Sequence, residues 1–210
     1  MMAGTPNAPA SGAVGHAASQ AAASPAAQFT AALSAHEAPQ RTAQWHWADE
    51  SACEASAATL ATRLAAARAA RADGADLTIE LHGPLGAGKT TFVRHLLRAL
   101  GVRGRVKSPT YTVVEPYRVE LSCATPRGLE RHGLDISHFD FYRFEDAREL
   151  IDAGLRDTFA APGLKLVEWP SRAAAWLPVA DLRLDIEPAA DDSRLVRAEA
   201  RTARGAALLG

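Results

Sequence analysis

One glycine-rich segment restricts the possible folds of this chain more than any other feature. Residues 83–90 read Gly-Pro-Leu-Gly-Ala-Gly-Lys-Thr and match the phosphate-loop pattern at every fixed position. A short apolar run at residues 77–81 precedes the segment, and a helical pattern follows it from Thr90 to Leu100. This succession of strand, glycine-rich turn and helix predicts an α/β fold of the P-loop NTPase type, with a central, mostly parallel sheet flanked by helices.

The residue types in this segment suit the binding of a nucleotide's phosphates. Glycines let backbone N–H groups turn toward an anion, and the start of the following helix adds its unpaired N–H groups. Lys89 is predicted to contact the β- and γ-phosphates and to act in catalysis, and the Thr90 hydroxyl is predicted to bind Mg²⁺. The predicted ATP-binding residues of the segment are Gly86, Ala87, Gly88, Lys89, Thr90 and Thr91.

Two acids lie at the ends of apolar runs farther along the chain. Asp140 ends the run 136–140, and Glu168 ends the run 164–168. The carboxyl ends of parallel strands meet at one edge of a sheet, where ligands bind in such folds. Phosphate-loop enzymes need an acid there to hold Mg²⁺ or to orient water. We therefore predict that at least one of these acids belongs to the metal site and to the catalytic residues.

The nucleotide is predicted to be ATP. The guanine-reading signature Asn-Lys-x-Asp requires an asparagine, and the only one in the chain is Asn7. From the residues alone, three functions stay open: an ATPase, a small-molecule or nucleoside kinase, and a nucleotide-dependent assembly protein without meaningful turnover. The kinase would need an acceptor pocket and an Arg-bearing lid, for which residues 143–156 are a candidate.

The first 40 residues differ in composition from the rest of the chain. They contain no Lys or Arg and a single acid, Glu37, and they are dominated by Ala, Ser, Pro and Gly. Such a segment cannot bury enough apolar surface to offset its ordering entropy. We predict a disordered tail over 1–40, a P-loop ATPase domain over 41–200 with an insertion at 120–133, and a C-terminal extension, 201–210, that frays.

Overall composition excludes several classes of protein. A net charge of −1 argues against a broad nucleic-acid-binding surface, although it leaves room for a local basic patch. No apolar run is long enough to cross a membrane. Two cysteines are too few for a disulfide framework or a zinc site, which indicates the reducing cytoplasm.

Periodicity and turn residues predict the remaining elements. We expect a helix from Glu50 to about Ala72, capped by Asp49 or Ser51. The other predicted elements are strands at 44–47, 105–107, 111–119, 134–141 and 164–168, helices at 145–153 and 171–176, and an edge hairpin formed by 182–186 and 195–198.

Taken in series, four segments resemble one family, TsaE (formerly YjeE), the small bacterial ATPases of tRNA threonylcarbamoyladenosine synthesis. The phosphate loop alone is generic, and the other three segments are far more specific. The four segments are Leu-Gly-Ala-Gly-Lys-Thr-Thr-Phe (85–92), Val-Lys-Ser-Pro-Thr-Tyr-Thr-Val-Val-Glu-Pro-Tyr (106–117), His-Phe-Asp-Phe-Tyr-Arg (138–143) and Leu-Val-Glu-Trp-Pro (166–170).

The resemblance implies roles for individual residues. Thr90 and Glu168 would hold Mg²⁺, with Asp140 nearby as the Walker B-like acid. The switch segment, 108–112, would sense the γ-phosphate through Ser108, Thr110 and Thr112. Trp169 would lie near the nucleotide, and the adenine would be approached by Glu50 and by Ser193 or Arg194.

The resemblance also implies partners. TsaE proteins act with TsaD and TsaB, and TsaD, helped by TsaB, transfers the threonylcarbamoyl group to adenosine 37 of tRNA. ATP hydrolysis by TsaE would reset that complex between turnovers. A direct contact between tRNA and this chain is not expected, because the net charge is balanced.

Overall fold

A single seven-stranded sheet organises the computed structural model, which describes Met1 and residues 41–69, 76–125, 128–144 and 154–210. The strands are β1 (Arg41–Trp47), β2 (Leu77–His82), β3 (Val114–Thr125), β4 (Gly128–Asp140), β5 (Leu164–Glu168), β6 (Leu182–Pro188) and β7 (Arg194–Ala200). The α-helices in the described part of the chain are α1 (Glu50–Ala69), α2 (Lys89–Ala99), α3 (Leu155–Ala160) and α4 (Ala203–Leu209). None of these helices has the length and apolar character needed to span a membrane.

The sheet is mixed rather than mostly parallel, so that part of the prediction is wrong. The strand order is β1-β7-β6-β2-β5-β4-β3, and only the four neighbours β6, β2, β5 and β4 run parallel to one another. The predicted hairpin exists as β6 and β7, but it does not form an edge, because β1 pairs with β7 along its length. That pairing joins residues more than a hundred positions apart, which periodicity does not reveal.

Both faces of the sheet carry a hydrophobic core. On one face, α1 packs against α2 and α4, over apolar residues that include Ile79, Ile136 and Leu166. On the other face, Phe139 and Val167 pack with Leu155 of α3. Successive side chains of a strand point to opposite faces. Asp140 and Glu168 therefore share the face of the sheet on which α2 lies.

The entry into β3 differs from the prediction. Residues 105–107 form no strand: Val106 is buried between two exposed basic residues, an alternation that resembles a strand but has no partner strand. β3 begins at Val114 because residues 109–113 turn, with the Val113 N–H bonded to the Pro109 carbonyl at 2.6 Å and Val113 at φ +66°. The insertion 120–133 is a hairpin, because β3 and β4 stay paired until Thr125 and Gly128.

The C-terminal extension is ordered, contrary to the expected fraying. Thr202 caps α4 by accepting a hydrogen bond from the Gly205 N–H, and its hydroxyl donates to buried Asp181. Arg63 of α1 donates to the Leu208 carbonyl at 2.8 Å. These contacts hold α4 against the hydrophobic core that lies on the α1 face of the sheet.

The remaining predictions have mixed outcomes. Asp49 caps α1 by accepting from the Ala52 N–H at 2.9 Å, and β5 has the predicted limits. In place of the helix predicted at 171–176, the chain forms a single 3₁₀ turn at Pro170–Arg172, followed by further turns. The predicted tail, the last residues of the first helix and the helix at 145–153 lie outside the described residues.

Candidate functional site

The phosphate loop connects β2 to α2 through glycines in left-handed conformations. Gly88 caps α2 at φ 104°. Gly83 has φ 139°, and a Cβ built there would lie 2.3 Å from the carbonyl oxygen of Ile186 in β6. A side chain at Gly83 would therefore force the loop away from the sheet. These positions explain in physical terms why the segment is rich in glycine.

Lys89, the first residue of α2, is held inside the loop that it follows. Its ammonium donates hydrogen bonds to the carbonyl oxygens of Gly83 and Pro84, both at 2.8 Å, and lies 3.9 Å from the centroid of the Trp169 ring. Burial lowers the pKa of Lys89, and the charges of Glu168 and Asp140 oppose that shift. The ammonium is thus confined at the mouth of the loop, next to two acids.

Glu168 is the centre of a buried hydrogen-bonded cluster at the end of β5. Both of its carboxylate oxygens lie 2.9 Å from the Thr90 hydroxyl, which donates to them. Its Oε1 also lies 2.9 Å from Nε2 of His138, a fully buried residue of β4. The last residue of one strand and the first turn of α2 are therefore joined directly through side chains.

Asp140 joins the predicted switch segment to the sheet. Its Oδ2 accepts hydrogen bonds from the hydroxyls of Ser108 and Thr110, the latter at 3.0 Å. Its Oδ1 accepts from the Tyr142 N–H at 3.0 Å. Asp140 is directly opposite Glu168 in the register of β4 and β5, so the two acids are neighbours.

The oxygen atoms gathered here suit Mg²⁺. Thr90, Asp140 and Glu168 offer a hydroxyl and two carboxylates, and Mg²⁺ in nucleotide sites takes one or two carboxylates and completes its shell with phosphate and water oxygens. Within the described ranges, no group of three His, Cys, Asp or Glu side chains is placed to hold a metal.

A cavity of about 310 Å³ brings most of the predicted site residues together. Leu85 and Tyr142, which the sequence did not single out, also contribute to its wall. The cavity is lined by Leu85, Gly86, Gly88, Lys89, Thr90, Thr91, Ser108, Thr110, Asp140, Tyr142, Glu168 and Trp169. Its position at the carboxyl ends of β4 and β5 is the one predicted for a ligand site.

An adjoining cavity of about 390 Å³ lies on the other side of the phosphate loop. Glu50 and Ala87 line it, as do Asp192 and Arg194. Ser193 does not: its hydroxyl donates to Asp191 and lies 3.1 Å from His46 Nε2. Of the two candidates in that hairpin, only Arg194 therefore faces the cavity.

The structure leaves one predicted residue, Thr112, outside both cavities and brings a further residue, His138, to the site. Thr112 is exposed and lines neither cavity, unlike Ser108 and Thr110. His138, for which no role at the site was predicted, is fully buried and contacts Glu168. The signal that could have revealed it is its spacing of two from Asp140, because residues two apart on a strand share a face.

Cys53 of α1 lines the adjoining cavity and offers a test of its burial. Burial raises the pKa of the Cys53 thiol to about 12 from an ordinary 9.0, and Glu50 adds to the shift. Because only the thiolate reacts, we expect alkylation of the folded protein near neutral pH to be about a thousandfold slower than that of the urea-unfolded chain. The rate should rise with pH throughout the range below 12.

Peptide-resolved mass spectrometry after iodoacetamide treatment measures this rate at Cys53, separately from Cys123. Equal rates for folded and unfolded protein would show that the thiol is not protected by burial.

Comparisons with known proteins agree on one family. Residues 47–196 match the family of "Threonylcarbamoyl adenosine biosynthesis protein TsaE". A curated relative named tRNA threonylcarbamoyladenosine biosynthesis protein TsaE, from Haemophilus influenzae, is 40% identical over 61% of this chain and 73% of its own length. The protein of that name from Bacillus subtilis is 37% identical over 55% of this chain and 65% of its own length.

A solved structure supports the same assignment. The crystal structure of Bacillus subtilis YdiB superposes with a TM-score of 0.59 at 28% identity, covering 81% of this chain and 93% of that one. Since the family match extends over most of the chain and includes the predicted phosphate loop, both acids and the predicted switch segment, the chain belongs to the TsaE family.

Proposed function

We propose that this protein is a Mg²⁺-dependent ATPase that acts with TsaD and TsaB in forming tRNA threonylcarbamoyladenosine, the biosynthesis for which its family is named. One observation carries the proposal: Lys89, Thr90, Asp140 and Glu168 converge on a single cavity beside the phosphate loop. Because its relatives are named for the modification of tRNA, the proposal places the protein in the cytoplasm.

The phosphate loop and Lys89 would bind the triphosphate. The Lys89 ammonium already lies within the loop, paired with two backbone carbonyls that phosphate oxygens can replace. The backbone N–H groups of Gly86, Gly88 and Thr90 precede or begin α2, where the helix dipole favours an anion. These donors would face the phosphates from one side of the loop.

Thr90, Glu168 and Asp140 would hold Mg²⁺. When bound, the metal neutralises charge on the phosphates and polarises the bond that is cleaved. Thr90 and Glu168 are already in contact and would direct their oxygens toward a shared ion. His138 contacts one oxygen of Glu168 and so restricts the orientation of that carboxylate.

Ser108 and Thr110 would couple nucleotide state to conformation. Both hydroxyls donate hydrogen bonds to Asp140. Because both hydroxyls depend on a carboxylate that would help to hold Mg²⁺, the position of the switch segment would depend on whether the site is occupied. Such a segment offers TsaD and TsaB a surface that differs before and after hydrolysis.

The adjoining cavity would receive the adenine. Glu50 and Arg194 place polar groups in its wall, and Trp47 and Cys53 add apolar ones. A wall of this kind suits a base, which needs stacking or apolar contact together with a few hydrogen bonds. The cavity shares Gly86, Gly88 and Thr91 with the phosphate site, as a nucleotide that spans both would require.

Measurement of phosphate release tests this proposal. We expect the purified protein to convert ATP to ADP and inorganic phosphate slowly in the presence of Mg²⁺, because the described lining of the phosphate cavity includes neither an arginine nor a water-orienting glutamine. Addition of TsaD and TsaB should raise the rate. The control omits Mg²⁺ and should show no turnover.

The fate of labelled γ-phosphate separates the alternatives. Its appearance as inorganic phosphate supports an ATPase, whereas its transfer to a metabolite would identify a kinase. Full-speed hydrolysis without any gain from TsaD and TsaB would contradict the proposed resetting role. Assembly with partners that needs ATP but no turnover would favour a nucleotide-dependent assembly protein.

A further inference from the structure

A basic groove lies next to the phosphate cavity, and none of the proposed roles uses its four cations. Its four cations come from two sources: Arg94 and Arg98 are one turn apart on α2, and Arg105 and Lys107 flank the buried Val106. The groove encloses about 670 Å³ and is lined by Glu50, Thr90, Arg94, Arg98, Arg105, Val106, Lys107 and Ser108.

The cations of the groove have no acidic partners among the described side chains. Among the side chains that the structure describes, no ion pair within 4 Å joins an acid to Arg94, Arg98, Arg105 or Lys107. Glu50, the one acid that lines the groove, contacts His95 at 3.0 Å instead. The cations are therefore available to an external anion.

The positive charge of the groove belongs to a segment of the chain that contains no acidic residue. Residues 81–114 contain six Lys and Arg residues and no Asp or Glu, in a chain whose net charge is −1. Acids concentrated elsewhere in the sequence balance this segment, so the net charge conceals the patch. A patch of one sign raises the local concentration of an oppositely charged partner.

The lining of the groove favours a polyanion over a protein segment. Protein interfaces are usually centred on apolar or aromatic anchors, and the only apolar residue here is Val106, which is itself buried. Three of the four cations are arginines, whose planar guanidinium groups pair with phosphate through two hydrogen bonds. Contacts to phosphate and sugar supply most of the affinity for nucleic acid.

We propose that this groove binds the phosphate backbone of an RNA, the choice of RNA resting on the proposed function in tRNA modification. The groove shares Thr90 and Ser108 with the phosphate cavity. RNA bound there lies beside the nucleotide's phosphates and beside the switch segment. The site thus gives this chain a direct contact with RNA, which a balanced net charge alone does not predict.

Fluorescence anisotropy with a labelled RNA stem-loop, measured over a range of salt concentrations, tests the proposal. The double variant Arg98→Gln/Arg105→Gln removes two groove cations. The control, Arg41→Gln/Arg156→Gln, removes two exposed cations that do not line the groove, one on β1 and one on α3. The groove variant should bind the RNA about tenfold or more weakly than the control. Its plot of log affinity against log salt should be less steep by about two.

Several outcomes would overturn the proposal. Equal affinities of the two double variants, or no binding of RNA by the wild type, would exclude the groove as an RNA site. Displacement of the RNA by poly-glutamate at equal charge concentration would assign the groove to an acidic protein segment instead.

Calorimetry with ATP and Mg²⁺ on the same proteins separates this proposal from the proposed function. Unchanged ATP binding in the groove variant, with weakened RNA binding, supports the groove. If the wild-type protein binds no ATP, but the groove variant still binds RNA more weakly than the control variant, the ATPase proposal is wrong and the proposed RNA site is supported.

Discussion

We expect the substitution Lys89→Ala to reduce Mg²⁺-dependent ATP hydrolysis by roughly a hundredfold to a thousandfold, the range seen when one preorganised donor is removed from an active site. The ammonium lies at the mouth of the loop, with carbonyl partners at 2.8 Å and the Trp169 ring beneath it. Alanine leaves no cation there to offset charge on the phosphates. Nucleotide affinity, measured by calorimetry, should fall as well.

The substitution Lys89→Arg tests the shape of the site in addition to its charge. A planar guanidinium is wider than an ammonium, and the space between the loop carbonyls and Trp169 is narrow. We expect this variant to be nearly as inactive as Lys89→Ala. The control for Lys89→Ala is Arg156→Ala on α3, which also removes one positive charge. Because Arg156 is exposed, this control variant should retain full activity. If Lys89→Ala hydrolyses ATP at the wild-type rate, the proposed role of Lys89 is wrong.

The second large effect is expected for Glu168→Gln. Glutamine preserves the size of the side chain but removes the charge that would hold Mg²⁺, so hydrolysis should fall at least about a hundredfold. The concentration of Mg²⁺ needed for half-maximal activity should rise. Since glutamine can still contact Thr90 and His138, the melting temperature should change little.

The substitution Asp140→Asn provides the matched comparison. Both acids are buried and opposite each other in the sheet, so the variant with the larger shift in Mg²⁺ requirement identifies the main metal ligand. Loss of activity without any change in Mg²⁺ dependence in both variants would contradict a metal site formed by these acids. A steep fall in melting temperature would instead indicate a structural role.

The succession of strand, glycine-rich turn and helix at residues 77–99 agrees with the prediction because its constraints are local. The loop requires glycines at fixed spacing, and its neighbours β2 and α2 follow it directly. The acids of β4 and β5 were located for a similar reason, since each ends a short apolar run. Local patterns therefore indicated which residues converge, even though their hydrogen-bond partners were not predicted.

Features that depend on distant pairing were missed. The contact between His138 and Glu168 exists only because β4 and β5 are neighbours in register. The position of β1 outside β7 depends on pairing between residues near the two ends of the described domain. Propensity and periodicity describe segments separately, so they carry no information about which strands become neighbours.

The limits of the family match and the limits of the folding unit are different. The match covers residues 47–196, whereas β1 starts at Arg41 and α4 ends at Leu209. Trimming the protein to the matched residues would delete nearly all of β1, residues 197–200 of β7, and the helix that Thr202 anchors to Asp181. The N–H and C=O groups of β6 that pair with β7 in the intact protein would then be open to strands of other molecules, which promotes aggregation. A minimal domain for expression therefore extends from Arg41 through Gly210.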